Sequence, residues 1–146
     1  MKRRTFFGWW GALGVAWPWL ARAQAVVSEP AILNVTKGRE LTRGKVKLEM
    51  PVIADNGNAV PVHITVAHPM TESNYVRAIH LVSDRNPVRN MASFFLGPYS
   101  GRAELSTRVR LAGSQNVTAI AELSDGTFWM DRSHVQVTLS ACVDES

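Results

Sequence analysis

Val60-Pro61-Val62-His63-Ile64-Thr65-Val66 decides the fold. Valine or isoleucine occupies every second position, with Pro61, His63 and Thr65 between. An extended chain points successive side chains to opposite faces, so this stretch reads as a strand with one buried face. Just upstream, Val46, Leu48 and Met50 alternate with Lys45, Lys47 and Glu49 in the same way. Asp55-Asn56-Gly57 between them supplies turn chemistry, because glycine accepts positive φ. The two runs are therefore expected to be adjacent antiparallel strands.

The same period continues toward the C-terminus. Tyr75 to Val82 is a candidate strand stopped by Asp84 and Asn86-Pro87, and Met91 to Leu96 another stopped by Gly97-Pro98. In Ala103 to Leu111, Leu105, Thr107, Val109 and Leu111 share one face, with Arg108 and Arg110 on the other. Val117 to Leu123 closes on Ser124-Asp125-Gly126, a hairpin signal. Thr127 to Met130 and Val135 to Leu139 read as two further strands. Toward the N-terminus the pattern fades: Pro30 before Ala31-Ile32-Leu33 could open a short helix ending near Gly38. About seven short strands and no long helical period predict an all-β sandwich. No repeat or low-complexity segment interrupts it.

Residues 1–25 have the order of an export signal. Lys2, Arg3 and Arg4 precede an apolar run from Phe6 to Leu20, and Ala21-Arg22-Ala23 and Ala23-Gln24-Ala25 follow. That run contains Pro18 and falls short of the roughly 20 apolar residues a membrane-spanning helix needs. Charge, apolar run and Ala-x-Ala motif together predict a cleaved signal peptide and no stable membrane insertion, with cleavage after Ala25 or after Ala23. Arg3-Arg4 before Thr5-Phe6-Phe7 resembles a twin-arginine signal; the alternative is a general secretory signal holding two arginines. Of the 16 Lys and Arg, Lys2, Arg3, Arg4 and Arg22 lie in this segment, and the remaining 12 balance the 12 Asp and Glu. The basic pI therefore belongs to the signal and gives no argument for nucleic acid as a partner. Residues 26–139 are expected to form one domain, and 140–146 a short C-terminal arm.

The arm carries Cys142, the single cysteine. It has no partner for an internal disulfide, and in an exported chain an odd cysteine marks an intermolecular bridge, a reactive thiol or an inert tail residue. It lies beyond the last periodic apolar run, where a packed structural cysteine is not expected. His63, His68, His80 and His134 lack the compact spacing of a zinc site and are expected at the surface or in turns. Ser106 stands in a strand with no base implied nearby, and no Gly-x-Ser-x-Gly elbow is present. No catalytic set, metal or cofactor is therefore expected. Arg108 and Arg110, with Arg77, Arg85 and Arg89, read either as solvated charge or as a docking surface for anionic partners. Asn34-Val35-Thr36 and Asn116-Val117-Thr118 match glycosylation acceptors, which a bacterial signal makes coincidental.

An ordered set of motifs points further. Met50-Pro51-Val52-Ile53-Ala54-Asp55-Asn56-Gly57 is followed by Val60-Pro61-Val62, Pro69-Met70-Thr71, Tyr75-Val76 and Asn86-Pro87. Ser106-Thr107-Arg108-Val109-Arg110-Leu111-Ala112, Ala121-Glu122-Leu123-Ser124-Asp125-Gly126 and Val135 to Leu139 complete it, with the cysteine after them. From Val46 to Cys142 the chain resembles the SoxY family, sulfur-carrier subunits of bacterial thiosulfate oxidation. The resemblance implies an immunoglobulin-like sandwich in the periplasm, paired with a second small β-subunit, SoxZ, as a heterodimer. It also implies that Cys142 is the covalent attachment site for sulfur intermediates, and that Sox-type partner enzymes, rather than this chain, turn over the cargo.

One departure stands out. The family ends in Gly-Gly-Cys-Gly-Gly, whereas here Ser140-Ala141-Cys142-Val143-Asp144 is followed by Glu145 and Ser146. Without glycines the arm is expected to be stiffer and wider, because Val143 is β-branched. Asp144, Glu145 and the terminal carboxylate are expected to raise the thiol pKa and to repel an anionic adduct.

Overall fold

The computed structural model describes residues 29–139. The signal segment 1–25, its cleavage site and the arm 140–146 with Cys142 lie outside the described residues. A short helix α1 (Pro30–Thr36) comes first. Nine strands follow: β1 (Leu41–Arg43), β2 (Val46–Glu49), β3 (Ile53–Ala54), β4 (Val60–Val66), β5 (Val76–Ser83), β6 (Asn90–Phe95), β7 (Glu104–Val109), β8 (Gln115–Leu123) and β9 (Phe128–Val137). One sheet has the order β1-β9-β8-β5-β6, with β3 also on β9; the other has the order β2-β4-β7. They pack face to face as the expected immunoglobulin-like sandwich.

The alternating stretches behave as their period dictates. Val60, Val62, Ile64 and Val66 are buried while Pro61 faces solvent. β2 pairs antiparallel with β4, Val46 opposite Val66 and Glu49 opposite His63. The inward residues meet Val76, Ile79, Leu81, Val117, Ala119, Ala121 and Val135 from the larger sheet in one core. A second core lies on the outer face of the larger sheet, where Ile32 of α1 packs on Leu41, Val82, Ile120, Phe128 and Met130. β8 is consequently buried on both faces over most of its length.

The helix starts and stops where the sequence predicts. Pro30 occupies the first turn, where its missing N–H costs nothing. Lys37 then adopts the left-handed conformation, and Gly38 N–H donates to Leu33 O at 3.3 Å.

Three local features differ from the sequence reading. The stretches Thr127–Met130 and Val135–Leu139 are the two ends of a single strand, β9. Asp131, Arg132, Ser133 and His134 interrupt the apolar alternation, yet each pairs with β8, opposite Ala119, Thr118, Val117 and Asn116. They are polar because the far edge of β9 is covered only at its ends, by β1 at Phe128–Met130 and by β3 at Gln136–Val137. β1 and β3 escape the sequence reading because three and two residues are too short to show a period. Finally, His80 is buried rather than at the surface.

The chain crosses between the sheets at Gly44-Lys45. Gly44 has φ 130° and Lys45 φ 55°, a reversal that only glycine makes freely. Asp131 secures the crossing: its Oδ2 accepts from Leu48 N–H at 3.0 Å, and its Oδ1 from Arg43 at 3.4 Å.

Candidate functional site: the root of the cysteine arm

Cys142 lies beyond the described residues, but the place from which its arm departs is well defined. β9 ends at Val137, whose N–H donates to Ser114 Oγ at 2.9 Å. Thr138 N–H donates to Ala54 O at 3.1 Å and its hydroxyl to Asp55 O at 2.8 Å. Leu139 O accepts from Gly57 N–H at 2.8 Å, and Gly57 O accepts from Leu111 N–H at 2.8 Å. The Asp55-Asn56-Gly57 turn is itself closed by Asn58 N–H on Asn56 Oδ1 at 2.8 Å. Ala54 to Gly57 thus form a bracket that holds the chain as far as Leu139. Three residue steps separate Leu139 from Cys142, a reach of about 10 Å when extended.

The bracket explains why two quoted motifs matter. Asp55-Asn56-Gly57 reads as a simple turn in the sequence, but its backbone is what grips Thr138 and Leu139, just before the arm begins. Asn86 performs a related task at the same end of the sandwich. Buried, it donates to Arg110 O at 2.8 Å, and its Oδ1 accepts from Ala112 N–H at 2.9 Å and Gln115 Nε2 at 2.8 Å. That fixes the 110–115 loop on which Gly57 leans. Val52, Ile53 and Leu139 leave apolar surface exposed on the segments that meet at this root.

The other candidate residues separate. His68 bonds Asn74 Oδ1 at 2.8 Å and His134 bonds Asn116 Oδ1 at 3.1 Å. Arg77 pairs with Glu122 at 3.3 Å, Arg85 donates to Ser114 O at 3.3 Å, and Arg89 rims a cavity beside α1. The sequence cluster Arg77, Arg85 and Arg89 is therefore not one basic surface. Arg108 and Arg110 do lie together, lining a groove of about 280 Å³ with Val88 and Met91. Asn34 and Thr36 belong to α1, with Thr36 fully buried.

Ser106 has a base beside it after all. His63 Nδ1 lies 2.7 Å from Ser106 Oγ, and His63 Nε2 lies 3.3 Å from Glu104 and 3.9 Å from Glu49. Residues far apart in sequence meet because β4 pairs with β7, His63 opposite Ser106. The row spans all three strands of the smaller sheet and sits half-exposed beside an open groove lined by Met50, Pro51, Pro61 and Arg108. Among the described residues no group of three or more His, Cys, Asp or Glu is arranged to hold a metal ion. No helix among them is long and apolar enough to cross a membrane.

Fold and site define a class: a β-sandwich whose chain is bracketed through Leu139 after the last strand, with the lone cysteine three residues further along the sequence. The family described as "Sulfur oxidation protein SoxY" matches residues 32–142, and the chain belongs to that family. The match ends on Cys142 itself. No curated protein sequence matches the chain significantly. Among solved structures it is similar to the sulfur carrier protein SoxY from Chlorobium limicola f. thiosulfatophilum. The two are 24% identical with a TM-score of 0.65, covering 79% of this chain and 99% of the other. A superoxide reductase (neelaredoxin) from Ignicoccus hospitalis is 19% identical, with a TM-score of 0.57 over 64% of this chain and 80% of the other. A superoxide reductase from Thermotoga maritima, described as putative, is 17% identical, with a TM-score of 0.55 over 70% and 89%. At these identities the structural likenesses establish the sandwich.

Proposed function

We propose that this chain is a periplasmic carrier that holds sulfur-oxidation intermediates covalently on Cys142 and presents them to partner enzymes. The observation that carries the reading is the bracketed root. A family match running to Cys142 meets a sandwich that holds the chain firmly through Leu139, only three residues before the thiol in the sequence. A carrier needs that combination: a fixed origin, a short reach and a single nucleophile. Loading from thiosulfate joins its outer sulfur to the cysteine Sγ and releases the thiol proton. The two electrons pass to a redox cofactor of the loading enzyme. The body supplies a surface to dock on and a constant arm length.

The segment 1–25 would take the chain out by the twin-arginine route, which moves folded proteins and suits co-export with a SoxZ-like second subunit. The sequence around Cys142 tunes the carrier. Ser140, Ala141, Val143 and Asp144 stand where the family has glycines, and Glu145 follows them, so this arm would suit a wider, less anionic partner channel.

The test is intact mass of the protein isolated from cells oxidising thiosulfate. Sulfur-containing adducts are expected on the wild-type chain and none on Cys142→Ser, which also stops oxidation. A uniformly bare thiol, with normal oxidation by Cys142→Ser, would overturn the proposal. Restoring glycines at 140, 141, 143 and 144 is expected to raise adduct occupancy with glycine-adapted Sox enzymes.

A further inference from the structure

His80 is buried in the larger sheet at 9% exposure, on the outer face beside α1. Its Nδ1 is 2.8 Å from Ser93 Oγ, whereas its Nε2 is buried with no partner. Buried polar atoms almost always find a partner, so an orphaned imidazole nitrogen calls for one that arrives from outside. The residue lines a cavity of about 610 Å³ between α1 and strands β5 and β6. Lys37, Arg89, Asn34, Asn90 and Glu122 line it too. Glu122 is neutralised by Arg77 at 3.3 Å, leaving Lys37 and Arg89 as a positive excess. Lys37 stands there at a cost, since its φ of 54° is one that glycine adopts more easily.

We propose that this cavity binds a small tetrahedral oxyanion, held by Lys37 and Arg89 and by an N–H from His80 Nε2. When Ser93 donates its hydroxyl proton to Nδ1, Nε2 carries the imidazole proton and offers the donor. Donors then come from the C-terminal end of α1, the start of β6 and the middle of β5, which suits a ligand with oxygens on several sides. Phe95, 79% exposed and edge-on to His80 with ring centroids 6.2 Å apart, stands at the rim. Nε2 is itself buried, so binding requires the side chains around His80, Phe95 among them, to shift. Binding there does not depend on Cys142 chemistry.

The experiment is a titration of the full chain with sodium sulfate at constant ionic strength, balanced with chloride, while ¹⁵N NMR follows the four imidazoles. A saturable shift confined to His80 is expected. Arg89→Gln and Lys37→Gln, both at exposed positions, should each weaken it roughly tenfold, the usual effect of losing one charged hydrogen-bond donor. The proposal is overturned if His80 does not respond, if chloride alone gives the same shift, or if both variants bind sulfate as the wild type does.

Discussion

The two sheets of this sandwich live in different surroundings. In the larger one, β8 reads buried on both faces from Val117 to Ala121, because the second sheet covers one side and α1 the other. In the smaller one, β2, β4 and β7 alternate, and their outer face carries the polar row of Glu49, His63, Ser106 and Glu104. One sheet is a structural spine; the other presents half of its side chains to water. Mutational tolerance should therefore follow which sheet and face a residue occupies more than its place in the chain.

The largest effect that tests this contrast is on β8. Ile120 is fully buried beneath α1, on the face that an ordinary one-sided sheet would leave wet. Ile120→Ala should cost about 2–5 kcal/mol in urea unfolding, the usual range for emptying a core site. His63→Thr, on the outer face of the smaller sheet, should stay within about 0.5 kcal/mol. Equal costs would dissolve the distinction. The junction between the sheets falls next. Asp131 accepts from the backbone of Leu48 on the opposite sheet and from Arg132 N–H at 2.9 Å. Asp131→Ala should cost about 1–3 kcal/mol, the penalty for stranding partly buried donors. A change below about 0.5 kcal/mol would mean that packing alone holds the sheets in place.

The same contrast decides what could be read from the sequence. β4 was legible because one wet face imposes alternation on Val60 to Val66. In β8 the continuous run from Val117 to Leu123 revealed the strand but not that α1 covers it, since a doubly buried strand loses its period. β9 reads as two strands in the sequence because its central residues answer to Leu48, Glu29 and Asp84 rather than to a core. Arg132, for example, bridges Glu29 at 3.0 Å and Asp84 at 3.3 Å. Of the site, Cys142 was legible as a lone thiol after the last strand. The grip on Thr138 and Leu139 is not, because backbone groups of Ala54, Asp55 and Gly57 make most of it and side-chain identity encodes those only indirectly. The His63–Ser106 contact was equally hidden, as it depends on the β4–β7 register.

A smaller effect separates the sheets by pH. Burial holds His80 below the ordinary imidazole value of 6.5, with Glu122 on β8 pulling weakly the other way. Arg77 on its own strand, Lys37 just after α1 and Arg89 before β6 are the other charges nearby. The unfolded chain therefore takes up a proton at His80 before the folded one does. Stability from this residue is fully present above about pH 6.5 and declines as pH falls toward the lower folded value. Unfolding midpoints between pH 7.5 and 5 should show the decline in the wild type and a flatter profile in His80→Gln. Identical profiles would place the pH sensitivity elsewhere in the molecule.

The smallest effect lies at the crossing itself. Lys45 is held at φ 55°, a conformation that costs a side-chain-bearing residue about 1 kcal/mol. Its ammonium sits 4.6 Å from the centroid of the Trp129 ring, a contact worth about 0.5–1 kcal/mol at an exposed site. The two terms nearly cancel, and substitution can pull them apart. Lys45→Ala keeps the backbone cost and loses the ring contact, so it should destabilise by about 0.5–1 kcal/mol. Lys45→Gly loses the contact but removes the backbone cost, and should fall within about 0.5 kcal/mol of the wild type. If alanine is tolerated better than glycine, the left-handed turn is not what carries the chain from one sheet to the other. Asp131 would then be left as the principal clamp at the junction.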